Sequence, residues 1–263
     1  MGKFDGILLV TDWDGTFYQG KLFEENIKAL RYFEDNGGKF SVCSGRYSDF
    51  LKGFKDTVPF NTYTVCYNGA YIVDLDTDEV LYRGYCDSAV FDIIDSIFEA
   101  KLEYSSINVY DDLHDAPVSY TYSEYLAAKE ELKVRNIYKI LLRAENDELG
   151  AAYAKAANKL ELYDYIAVRS WGLSLEILKL ENSKGSAISR LAEHLKSKLV
   201  VAVGDYENDL EMLKAADISY AVENAIDAVK KIADRVTVSV TESAIASIIY
   251  EIERDIDNKR IVL

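Results

Sequence analysis

Two acidic residues, Asp12 and Asp14, stand two positions apart just behind the apolar run GILLV at 6–10. Charge at the end of an oily strand is costly unless something positive is held beside it. A second acidic pair, Asp205 and Asp209, follows the run LVVAV at 199–203. Ser44 closes a third run, KFSVC at 39–43, and Lys184 opens a helical segment in NSKG. The hard oxygens of Asp12, Asp14 and Asp205 suit Mg²⁺, and Asp14 could also offer its backbone carbonyl. A divalent cation would remove the repulsion between acids held this close. Gly15-Thr16 and Ser44-Gly45 would add backbone amides and hydroxyls for phosphoryl oxygens. The Lys184 ammonium would hold the transferring group. Such a set suits phosphoryl transfer. One carboxylate attacks phosphorus; another protonates the leaving alcohol and then deprotonates the water that clears the acyl phosphate. Each residue alone also suits a plain turn, cap or solvated surface, so the chemistry requires them to converge.

Convergence requires one parallel sheet, because ligands then bind beyond the carboxyl ends of the strands. Residues 4–11 read as a short strand. Residues 24–36 have helical spacing, with Ile27, Leu30 and Phe33 on one face and Gly37-Gly38 as the stop. Strands at 39–44 and 63–67 follow. The same alternation returns late, with helices at 184–197, 208–216, 224–233 and 243–254 and strands at 199–205 and 218–222. The middle differs. A hairpin at 70–83 leads into helices at 87–102, 120–130 and 150–162, mixed with strands at 106–110, 138–143, 165–170 and 173–178. That succession predicts a second α/β unit with antiparallel pairing, inserted at 84–178. Segments 1–83 and 179–263 would then complete one core.

The chain has 263 residues, 49% of them hydrophobic and 29% charged, which reads as globular. Its formal net charge of −15 argues against nucleic acid as a partner. A small anionic substrate remains compatible, since a bound cation reverses the local field. Cys43, Cys66 and Cys86 form no CxxC pair, and His114 and His194 match no ligand spacing, so neither a disulfide framework nor a zinc site is expected. No run approaches the ~20 apolar residues of a membrane span, and no signal peptide is read, so the cytoplasm is the expected compartment. A homo-oligomer is permitted but not specified.

In order, these residues resemble the haloacid dehalogenase superfamily, and within it the Cof-type sugar-phosphate phosphatases. The likeness rests on Asp12-Trp13-Asp14-Gly15-Thr16, Ser44-Gly45-Arg46, Lys184-Gly185 and Gly204-Asp205-Tyr206-Glu207-Asn208-Asp209. Asn68-Gly69-Ala70 and Glu223-Asn224-Ala225 extend it. Trp13 is bulkier than the residue common there and is expected to pack against the core.

The resemblance implies a Rossmann-like parallel-sheet core with an inserted α/β cap of type IIB. It implies that Asp12 is nucleophile and Mg²⁺ ligand, and Asp14 general acid/base and backbone ligand. Asp205 would be the third protein ligand. Asp209, counted with the metal set, and Asn208, counted with the phosphate set, would orient Lys184 or a water on the metal. Gly15, Thr16, Ser44, Gly45 and Lys184 would bind phosphate. Cap residues Arg169, Ser170 and Trp171 are candidates to touch the substrate. The activity implied is Mg²⁺-dependent hydrolysis of a small phosphorylated sugar or related metabolite through an aspartyl phosphate. The same motifs also serve a phosphomutase. A non-catalytic phosphate or metal sensor is the reading from another class, and the intact Asp12, Asp14 and Lys184 set argues against it.

Overall fold

The computed structural model describes residues 2–99, 106–146 and 164–263. The chain forms two compact units, Met1–Leu81 with Lys184–Leu263, and Tyr82–Ser183. The sequence reading put these junctions at 84 and 178.

The first unit is built on a five-stranded parallel sheet. Its strands are β1 (Ile7–Thr11), β2 (Lys39–Val42), β11 (Leu199–Gly204), β12 (Ile218–Ala221) and β13 (Arg235–Val236), in spatial order β13-β12-β11-β1-β2. Every pairing in it is parallel. Strand β1 is buried along its whole length, as expected of a strand covered on both faces. Pairing of Thr11 with Val203 and with Val42 aligns the ends of three strands. The residues that follow, Asp12, Ser44 and Asp205, therefore leave the sheet at one edge. A three-stranded sheet of β3 (Thr64–Cys66), β4 (Tyr71–Val73) and β5 (Val80–Arg83) follows, with β3 and β4 antiparallel.

Helix α1 (Glu24–Asp35) begins with Glu24 and Glu25, acids that favour a helix N-terminus. Its buried stripe is Asn26, Ala29, Leu30 and Phe33, with Ile27 only half-buried. The expected stripe thus turns by one residue. Asn26 is buried against the C-terminal helix (Ala244–Asp257): its Oδ1 accepts the Ala246 amide at 3.0 Å, while its Nδ2 has no partner among the described residues. The expected helix at 224–233 is shorter, Asp227–Ile232, because residues 223–226 form the turn that returns to the strand ends.

The second unit is a five-stranded antiparallel sheet of β6 (Ser106–Asp111), β7 (Val118–Tyr120), β8 (Ile137–Arg143), β9 (Tyr165–Val168) and β10 (Ser174–Lys179), ordered β7-β6-β8-β10-β9. Strand β7 was not anticipated; three residues are too few to show a period. One face carries Ile107, Val109, Ile140, Leu142, Leu175 and Ile177, packed with Val90, Ile94 and Ile97 of the helix Ala89–Glu99 and Tyr125 of the helix Tyr122–Leu132. Thr121 caps the helix Tyr122–Leu132 with a reciprocal Glu124 contact. The helix expected at 150–162 lies outside the described residues.

A charged pair is sealed into this unit. The Lys139 and Glu176 side chains are 1% and 2% exposed and pair with each other, and the Ser170 hydroxyl also donates to Glu176. Desolvating both ions costs about as much as their attraction returns, but one ion left alone is far worse. Lys139→Met should therefore lower stability by about 3–5 kcal/mol in chemical denaturation. Lys139→Met combined with Glu176→Leu should recover most of that loss.

Candidate active site

The strand-end residues meet at one edge of the parallel sheet. The Asp12 amide donates to the Val203 carbonyl at 2.9 Å, which carries the β1–β11 ladder one residue past the strand. Lys184 opens the helix Lys184–Leu195 and is buried, 1% exposed. Its Nζ donates to Asp12 Oδ1 at 2.5 Å and to Asp209 Oδ1 at 2.6 Å. Asp209 Oδ2 accepts the amides of Asp205 (2.8 Å) and Tyr206 (3.1 Å). Asp209 thus ties Lys184 to the turn after β11. Gly204 makes room for this: a Cβ there would lie 2.5 Å from that of Asp209.

Carboxylate oxygens of Asp12, Asp205 and Asp209 lie within 4.8 Å of one another. Three acids face one ammonium. Burial, reinforced by Asp209 and Asp205 against the pull of Lys184, holds the Asp12 carboxyl well above its usual range. Burial and Asp209 push Asp205 up to about 7. Burial alone would lower Lys184, but Asp12 and Asp209 overrule it and raise it. The site therefore gathers more carboxyl groups than its one ammonium can balance if all were ionised. Clustered hard oxygens are the donor set a small divalent ion such as Mg²⁺ takes.

The loop after Asp12 is shaped around Asp205. Thr16 Oγ1 donates to Asp205 Oδ1 at 2.7 Å. Gly15 sits at φ +82°, and a Cβ on it would lie 2.5 Å from Asp205 Oδ2. Both the conformation and the close approach require glycine. Ser44 is buried at the end of β2; its amide donates to the Val65 carbonyl and its Oγ accepts the Arg46 amide at 3.1 Å. Gly45 follows it in the same loop. Asn208 is buried, and its Nδ2 donates to Asn68 Oδ1 at 3.2 Å.

Asp14 is placed differently from Asp12. Its carboxylate is half-exposed and stands outside the three-acid group. Arg46 grips it through Nε–Oδ2 at 2.8 Å and Nη2–Oδ1 at 2.9 Å. The sequence reading listed Arg46 within a motif and gave it no task. It also missed Asn224, whose Nδ2 donates to the Gly15 carbonyl at 2.8 Å while its Oδ1 accepts the Val240 amide. The signals were present as letters, SGR and ENA, but partners 32 and 209 positions away are not visible in spacing. Trp13 is fully buried among Phe17, Tyr18, Phe50 and Phe54.

In the second unit, Arg169, Ser170 and Trp171 lie between β9 and β10. Ser170 is engaged by Ser174 and Glu176, whereas Trp171 is exposed with the Arg143 guanidinium 5.3 Å from its ring. His114 pairs with Asp111 and His194 packs on Tyr63. Cys43 and Cys66 are buried and Cys86 half-buried, and burial pushes the Cys86 thiol up to about 12. Among the described residues no helix is long and apolar enough to cross a membrane.

Residues 9–249 match the haloacid dehalogenase-like hydrolase family. Phosphatase YwpJ of Bacillus subtilis is 28% identical, over 91% of this chain and 97% of its own. A 5-amino-6-(5-phospho-D-ribitylamino)uracil phosphatase of the same species, YitU, is 24% identical over 93% and 96%. A solved haloacid dehalogenase-like hydrolase from B. subtilis superposes with a TM-score of 0.78 at 24% identity, covering 92% of this chain and 98% of that one. The chain belongs to the haloacid dehalogenase-like hydrolase family and is a phosphatase.

Proposed function

We propose that this phosphatase is a Mg²⁺-dependent phosphomonoester hydrolase that passes the phosphoryl group through Asp12. The observation that carries the reading is the buried contact of Lys184 with Asp12, 2.5 Å long, inside a group of three acids. The ammonium works against the burial that raises Asp12, and it points one of the Asp12 oxygens. Asp12 and Asp205 would hold the ion by their side chains and Asp14 by its carbonyl. When bound, the ion supplies positive charge against the phosphoryl oxygens and lowers their repulsion of the nucleophile. Asp209 serves Lys184, since both of its oxygens are already engaged.

In the first step an Asp12 oxygen attacks phosphorus and the bond to the ester oxygen breaks. The electron pair goes to that oxygen, which takes a proton from Asp14. In the second step water attacks phosphorus and gives a proton to Asp14. The Asp12–phosphoryl bond breaks and inorganic phosphate leaves. The Ser44 hydroxyl and the amides of the loops at 14–16 and 44–46 bind the phosphoryl oxygens.

The substrate we infer is a small phosphorylated sugar, polyol or related metabolite. The net charge of −15 disfavours nucleic acid, and YitU is named for a phosphoribityl compound. Arg169, Ser170 and Trp171 are proposed as substrate contacts, Ser170 through its own network.

Two measurements test this reading. Purified protein should release phosphate from p-nitrophenyl phosphate with MgCl₂ and lose that release with a chelator. Asp12→Asn should lower kcat at least about a thousandfold; an unchanged rate would refute the assignment. MgCl₂ should also raise the thermal midpoint, since a ligand of the folded state alone stabilises it. An acid whose folded-state value is raised costs stability as pH climbs from its ordinary value, 3.8, to the raised one, about 7 for Asp205, and the loss is complete above that. At pH 8, Asp205→Asn should thus raise the metal-free midpoint and remove most of the Mg²⁺-dependent gain.

A further inference from the structure

We infer that Arg46 is a positioning residue that sets the direction of the Asp14 carboxylate for proton transfer, and that Phe50 holds Arg46 in place for it. This rests on the proposed reaction, in which Asp14 serves both steps.

The Asp14 residue is bridged to Tyr18 but its side chain is half-exposed, so something other than burial must fix the carboxylate. Two parallel hydrogen bonds from one guanidinium do, at 2.8 and 2.9 Å. Such a fork sets the plane of the carboxylate as well as its position. It leaves the second lone pairs of both oxygens for a leaving group or a water. Arg46 is itself constrained. Its amide donates to Ser44 Oγ, and its carbonyl accepts the Tyr67 amide at 3.0 Å. Its guanidinium lies 4.5 Å from the centre of the Phe50 ring. A cation over an aromatic face is attracted by the ring's quadrupole and loses freedom on that side.

Phe50 in turn is wedged into the aromatic group. Its ring is 6.4 Å from that of Trp13 and 5.5 Å from that of Phe54, and Trp13 stands 4.8 Å from Phe54. The chain of contacts runs from Trp13, between the two aspartates, through Phe50 and Arg46 back to Asp14. A bulky Trp13 therefore has a use: it is the fixed wall against which the Asp14 support is braced. Lysine would not replace Arg46, because a point charge cannot reproduce the fork.

The test uses the full chain with MgCl₂, comparing wild type with Arg46→Ala, Arg46→Lys and Phe50→Leu. Two substrates are used, p-nitrophenyl phosphate, whose leaving group departs without a proton, and an alkyl phosphate, whose leaving group needs one. Misdirecting a catalytic group by about 1 Å can cost roughly 10²-fold. Arg46→Ala should thus lower kcat for the alkyl phosphate by about 10- to 100-fold with KM within a few-fold. With p-nitrophenyl phosphate, phosphorylation of Asp12 should proceed while attack by water slows. A pre-steady-state burst of nitrophenol, about one per enzyme, should therefore appear or grow. Arg46→Lys should recover little, and Phe50→Leu should shift both readouts the same way but less. Retained thermal midpoints separate these effects from misfolding. Equal losses on both substrates without a burst, a rise in KM alone, or unchanged kinetics would each overturn the inference. Wild type inactive on both substrates would instead fail the proposed function.

Discussion

One buried ammonium organises this site. Lys184 reaches Asp12 and Asp209 at once, from a helix that begins where the chain re-enters the parallel sheet. Without it, three carboxylates within 4.8 Å would face one another in a desolvated corner, a cost a protein normally avoids by protonating one of them. With it, one acid is aimed and its burial partly offset, while more carboxyl groups than one cation balances remain to face a divalent ion. The rest of the local structure serves that balance. Gly204 admits Asp209 close to the strand, Gly15 admits the first loop close to Asp205, and the register of β1 with β11 and β2 brings all the termini to one edge.

The two aspartates of the first loop have different surroundings, which suits the division of labour proposed for them. Asp12 is buried against a cation; Asp14 is half-exposed in the grip of an arginine. A nucleophile needs a fixed, dry position. A proton carrier must also meet water and an outgoing alcohol. Two positions of separation with a glycine after the second acid provide both environments, because the chain turns out of the sheet between them.

The architecture and the meeting of the strand-end residues at one edge were legible in the sequence because they depend on local signals. Apolar runs ending in acids marked β1 and β11, and the fixed spacing within DWDGT and GDYEND marked the residues beyond them. The change to antiparallel grammar after residue 83 marked the inserted unit. What was not legible depends on contacts across the chain. Asn26 looks like a surface residue until the partner amide of Ala246 is known. Arg46 looks like one more exposed cation until Asp14 and Phe50 are seen around it. Strand β7 and the short β13 fall below the length at which alternation can be read. The sealed Lys139–Glu176 pair sits in strands whose alternation would place both side chains on a solvated face.

Phosphoryl transfer to Asp12 is the claim on which the functional account stands, and a covalent trap tests it most directly. Enzyme turning over a labelled phosphate ester with MgCl₂ is quenched in acid, digested, and its peptides are examined by mass spectrometry. The account predicts one phosphoryl group on the peptide containing Asp12, converted to homoserine at position 12 by borohydride and absent from Asp12→Asn. Label on a different residue would contradict it, as would full activity with no covalent adduct at any quench time.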